Sequence, residues 1–240
     1  CGLALASRTA SELLGSPRWL AEAWAVIGMI AAMLITLAYI AKLLRHRDAV
    51  RAELANPAQM GFVGSIAIAW ALAAGCLGPY APGPARALWW AAAALMVVIQ
   101  IGAMARWLAG GIELAEINTG WMIAFIGPVP VAGPGMLLGE IDAARAIFAA
   151  SALATPIIAG LVMFRIFVGP PMPDAMKPTV FILLVPFSLV YAYAPALWGL
   201  SSGPALETLF AFMVVMALAL AIFARGAARW PFGAPWWAFT

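Results

Sequence analysis

Asn118-Thr-Gly-Trp-Met-Ile-Ala-Phe-Ile-Gly-Pro-Val-Pro-Val-Ala-Gly-Pro-Gly135 contains no charged residue and three prolines, Pro128, Pro130 and Pro134. Extended from Thr119 to Leu138, the stretch reaches the roughly 20 apolar residues that one helix needs to cross a bilayer. Each proline removes a backbone donor and leaves the carbonyl four residues earlier without its partner. Inside hydrocarbon such freed groups are tolerated only where protein or a water-filled cavity meets them. The segment therefore reads as a kinked helix inside a membrane bundle.

The flanking sequence repeats the charge-poor pattern with fewer prolines. The 240 residues are 65% hydrophobic and 10% charged, with a mean hydropathy of +1.00; soluble domains carry about 25% charged residues. A charge at the bilayer centre costs about 2.5–3.5 kcal/mol on insertion scales, so charge-poor stretches mark the spans. Seven complete ones are expected, at Trp24–Leu43, Pro57–Leu77, Ala87–Ala105, Thr119–Leu138, Ala146–Phe164, Pro178–Ala194 and Leu206–Ala224. Cys1 to Leu14 read as the closing turns of an earlier helix and Trp236 to Thr240 as the opening turns of a later one. The seven are numbered two to eight accordingly. The chain is expected to be one all-α transmembrane domain over 1–240, a polytopic helical bundle and a fragment lacking both natural termini.

Basic residues set the orientation. Lys42, Arg45, Arg47, Arg51, Arg106, Arg165, Lys177, Arg225 and Arg229 follow even-numbered spans, and Arg8, Arg18, Arg86 and Arg145 lie on the other side. The excess of Lys and Arg marks the cytoplasmic face, so the loops after spans two, four, six and eight are expected there, in a bacterial-type inner (plasma) membrane. These cations are scattered, which excludes a phosphate-binding face for nucleic acid. Cys1 and Cys76 are isolated and give neither a disulfide framework nor metal spacing. His46, the single histidine, sits in the basic run Arg45–Arg51 and reads as a solvated loop residue. No cofactor, metal or catalytic constellation is called for, and the chain is not read as an enzyme.

Prolines divide the spans. Odd-numbered spans three, five and seven carry Pro57, Pro128, Pro130, Pro134 and Pro186, whereas spans two, four and eight have none inside; Pro156 makes span six the misfit. The odd spans read as an inner, kinked set. No ionisable residue falls in the middle of any span, which disfavours coupling through an intramembrane proton relay. Glu207 belongs to the first turn of span eight, where the helix dipole favours an acid. Gln100, Asn118, Thr179 and Ser188 read as helix–helix hydrogen-bonding groups. A neutral path can still select anions through helix N-termini and freed backbone donors. Phe62, Phe125, Phe181, Phe187 and Phe239 on odd spans, with Pro128 and Pro186, are the candidates for its walls or plug.

Three strings carry a family likeness: Asn56-Pro57-Ala-Gln-Met-Gly-Phe62, Lys177-Pro178-Thr-Val-Phe-Ile-Leu-Leu-Val-Pro186 and Trp236-Trp237-Ala-Phe-Thr240. In this order they resemble the tellurite-resistance/dicarboxylate transporter family, which includes TehA and the plant slow anion channels. The Pro170-Pro171-Met-Pro-Asp174 loop is similar to the family's link between spans six and seven. The resemblance implies ten helices, a central pore lined by the five odd ones, homotrimers, and an aromatic gate on the ninth helix, to which Phe239 is nearest. It also implies passage of small anions: tellurite, sulfite, C4-dicarboxylates or inorganic ions. A proton-coupled dicarboxylate carrier on the same fold and a non-transporting membrane scaffold are the alternatives.

Overall fold

The computed structural model describes residues 1–56, 61–200, 203–233 and 236, and every regular element in it is helical. α1 (Gly2–Leu14) and α2 (Arg18–Arg45) form a hairpin, followed by the short α3 (Arg47–Ala55). A 3-10 turn at Gly61–Val63 leads into α4 (Gly64–Leu77), and α5 (Pro82–Leu108) returns. The proline-rich stretch forms α6 (Gly120–Ile126) and α7 (Pro128–Leu137), after which α8 (Ile141–Val168) crosses back. A 3-10 stretch, Asp174–Leu184, continues as α9 (Val185–Trp198). Last come α10 (Pro204–Phe223) and a 3-10 tail, Ala224–Arg229.

Among the described residues five helices are long and apolar enough to cross a membrane: Arg18–Arg45, Pro82–Leu108, Ile141–Val168, Asp174–Trp198 and Pro204–Arg229. The pair α6 and α7 makes a sixth when taken as one span bent by 46°, and Gly61–Leu77 is apolar but shorter. Pro57, the expected start of that shorter segment, lies outside the described residues. The basic run expected as a loop is instead mostly helix. Arg47 to Ala55 form α3, which lays its buried Val50 inward and leaves Arg47, Asp48 and Arg51 exposed. Polar residues spaced around one apolar position suit a helix lying against the bundle. His46 is exposed at the junction of α2 and α3.

Small residues bring the central helices together. α4 buries Gly64, Ala67, Ala71, Ala74 and Gly75 against Ala85, Ala92, Ala93 and Met96 of α5 and Val131 of α7. A Cβ added at Gly75 would sit 3.1 Å from Cβ of Pro134, so the backbones of α4 and α7 nearly touch. Close backbone approach is what replaces the hydrophobic effect when the solvent is itself apolar. Burial then grades outward. Six of the seven residues of α6 are buried, while the most apolar windows of α2 and α10 are only 11% and 6% buried. Those two helices expose rows of Ile, Leu, Val and Phe, the composition suited to lipid. Burial does not follow the odd–even alternation throughout. Even-numbered α8 is 33% buried in its window against 28% for Asp174–Trp198, because its Ala144, Ser151, Thr155 and Ala159 side packs on α6 and α7. Pro156 leaves α8 continuous.

Gln100 of α5 ties this centre together, donating from Nε2 to the Phe125 carbonyl (2.8 Å) and to Ser151 Oγ (3.1 Å). Interhelical side-chain hydrogen bonds in membranes contribute about 0.6–2 kcal/mol. Gln100→Ala is expected to destabilise the bundle by about that much, measured as a lower midpoint in denaturing-detergent titration. An unchanged midpoint would show that the contact adds nothing net.

Candidate functional site

The break between α6 and α7 organises the centre. Neither Pro128 nor Pro130 can donate, so the carbonyls of Ala124 and Ile126 have no intrahelical donor. Gly127 supplies the room: a Cβ there would come within 2.8 Å of Met96 Sδ. Beside the break, Phe125 is 2% exposed, and Trp107 of α5 lies flat over it. The Trp107 ring stacks on Phe125 at 3.6 Å and on Trp121 at 3.7 Å, with interplanar angles of 20° and 28°. Trp107 thus clamps two residues one helical turn apart, and its own Nε1 is buried without a hydrogen-bond partner.

At its N-terminal end α6 is fixed by polar contacts. Asn118 Oδ1 accepts from the Gly120 amide at 2.8 Å, closing a local turn. The Thr119 hydroxyl donates to Thr179 Oγ1, which donates in turn to the Met176 carbonyl at 2.7 Å. Both threonines are essentially fully buried, so the 3-10 stretch Asp174–Leu184 is locked to α6 by hydroxyls. Ser188 donates only to the Val185 carbonyl of its own helix.

The predicted aromatic set is partly assembled. Phe125 belongs to the main core cluster, and Phe181 and Phe187 pack against it. Pro186 is buried in the first turn of α9, and Phe187 makes an edge-to-face contact with Phe212 of α10 at 5.0 Å. Phe62 stands at the mouth of α6: a Cβ on Gly120 would fall 2.7 Å from its Cε2. Phe239 lies outside the described residues. Cavities of about 250 and 550 Å³ lie elsewhere, one beside Leu54, Ile99 and Arg106, the other beside Trp90 and Glu140. None of the predicted residues lines either cavity.

Two features escaped sequence reasoning. At one end of the bundle, arginines cap the C-terminal ends of three helices, where carbonyls lack intrahelical donors. Arg8 donates to the Cys76 carbonyl (3.0 Å), Arg86 to Leu138 (3.2 Å) and Arg145 to Leu197 (2.9 Å). Each also meets a carboxylate, Glu22, Glu140 and Asp142 respectively. Arg8 lies 5.8 Å above the Tyr80 ring, and the Tyr80–Glu22 hydrogen bond is the main reason the Tyr80 phenol is pushed above its ordinary range. Arg165, at the other end, is the one charged side chain among the described residues that is buried.

These features define a class: a polytopic helical membrane protein built around a broken helix with no ionised side chain at the break. The family model for voltage-dependent anion channels matches residues 1–240, and the chain belongs to that family, one of membrane channels and transporters. The comparison with curated proteins finds no match.

Removing the clamp tests the centre. Trp107→Ala is expected to cost about 3–5 kcal/mol, as for other aromatic truncations in packed cores. Trp19→Ala, at a residue 69% exposed on α2, should stay within about 0.5 kcal/mol. Comparing thermal midpoints of the two variants checks both.

Proposed function

We propose that this protein passes small anions through a pathway between its proline-bearing helices, closed at Phe125 by the stacked Trp107. The observation that carries the reading is the α6–α7 break, where prolines interrupt the helical ladder among buried residues and no ionised side chain lies beside it. Without a fixed cation such a site holds an anion weakly, and weak binding lets an ion leave quickly, as conduction demands. Phe62, Phe181, Phe187, Pro128 and Pro186 are assigned to the walls, and Phe239 to the ninth-helix gate implied by the family resemblance. Tellurite, sulfite, C4-dicarboxylates and inorganic anions are the substrate class on the same ground. The protein is read as a homotrimer in the plasma membrane, with the Arg45–Arg51 end cytoplasmic as the charge bias suggests.

Reconstitution into liposomes under opposed anion gradients tests this. The wild type is expected to carry an anion-selective current that does not depend on a proton gradient. Phe125→Ala should raise that current severalfold while leaving anion selectivity unchanged. Flux that follows the proton gradient would favour a coupled carrier, and no flux in either protein would favour a scaffold.

A further inference from the structure

Arg165 sits in the last turn of α8 with 5% of its surface exposed. Among the described residues six Lys and Arg side chains have a carboxylate within ion-pair distance, and Arg165 is not one of them. Its Nη1 donates to the Pro170 carbonyl at 2.7 Å, and its Nε is buried with no partner. Gly169 packs directly on the side chain: a Cβ there would lie 2.6 Å from Nη1 and 2.9 Å from Cδ. The guanidinium is therefore held in place by the turn that follows α8, with its buried Nε–H left unpaired.

A structural role as helix cap accounts for part of this. The C-terminal end of a helix carries about half a negative charge, and the Pro170 carbonyl adds one acceptor. The remaining charge and the Nε hydrogen are left uncompensated in a site from which water is largely excluded, where an unpaired ion costs several kcal/mol. A fork of guanidinium donors with no carboxylate is complementary to a small anion.

We infer that Arg165 is the centre of a binding site for a small monovalent anion, such as nitrate or a halide, at the end of the bundle opposite the arginine-capped rim. The anion supplies the missing counter-charge and accepts from Nε, while Pro170 and Gly169 orient the fork. This deepens the anion-passage reading and rests on it for its role: the site loads the pathway from one side.

The test uses the intact protein in nanodiscs of zwitterionic lipid, so that no anionic headgroup can substitute. The thermal midpoint is followed as gluconate is replaced by nitrate or chloride at constant ionic strength. The wild-type midpoint is expected to rise saturably, as binding to the folded state requires. Arg165→Met should lose the rise. Arg165→Lys keeps the charge but not the Nε donor or the fork, and should need at least about tenfold more anion for the same shift. It also keeps the site testable if the Met variant fails to fold. No saturable rise in the wild type, or an equal rise in the variants, overturns the site and leaves Arg165 a helix cap. Currents recorded from the same preparation separate the two readings. A conducting wild type without a midpoint rise removes only this site, whereas a midpoint rise without current removes the pathway and leaves the site standing.

Discussion

Inside a bilayer a backbone group that loses its partner has no water to turn to, and the rest of this structure is arranged around that constraint. Pro128 and Pro130 break the ladder at the most deeply buried point of the chain. Beside the freed carbonyls of Ala124 and Ile126, the Gln100 amide of α5 anchors the intervening Phe125 carbonyl and, through Ser151, the wall of α8. Trp89 donates in the same manner to the Val131 carbonyl of α7 at 2.9 Å, six residues further on. The long, straight helices can afford to face lipid because their backbones are internally complete. The kinked one cannot, and so it lies at the centre.

The same constraint orders the ends. Helix C-termini leave carbonyls without intrahelical donors, and at one rim Arg8, Arg86 and Arg145 meet those of α4, α7 and α9. At the other end Arg165 answers the C-terminus of α8 but keeps a donor unused. Hydroxyl pairing of Thr119 with Thr179 joins α6 to the long 3-10 stretch. Runs of 3-10 helix beyond three or four residues are uncommon, and this one spans 11 residues, Asp174–Leu184, with Pro178 inside it. Several of the polar contacts lie where the backbone is irregular, whereas others, such as Trp70 to Thr36 at 2.9 Å, join regular helices.

Much of this plan was legible from residues. Charge-poor stretches located the long helices, because ionised groups are costly in hydrocarbon, and Pro128 marked the break, because proline cannot donate. Gln100 and Thr179 were recognisable as interhelical groups because a polar side chain in an apolar span seeks a partner on another helix, whereas Ser188, read the same way, bonds within its own helix. Other features were hidden for stated physical reasons. A basic run reads alike as loop or as surface helix, so α3 was missed. Arg165 counted as one loop cation among nine because burial depends on how Gly169 and Pro170 fold back over it. Trp107 was one of 11 tryptophans, and nothing in spacing distinguishes a ring stacked on two neighbours from one facing lipid. The odd–even division by proline described α6 and α7 well but not α8, whose small-residue side draws it inward despite its even number.

The capped rim also makes the two ends of the bundle electrically unequal. Three of the four arginines at that rim are committed to carbonyls and carboxylates, so their charge is largely spent. At the opposite end Arg45, Arg47, Arg225 and Arg229 stand exposed. Any field set by these side chains runs along the helix axes, from the neutralised helix ends toward the free cations. If the protein conducts as proposed above, that built-in direction would make it a rectifier rather than a plain resistor.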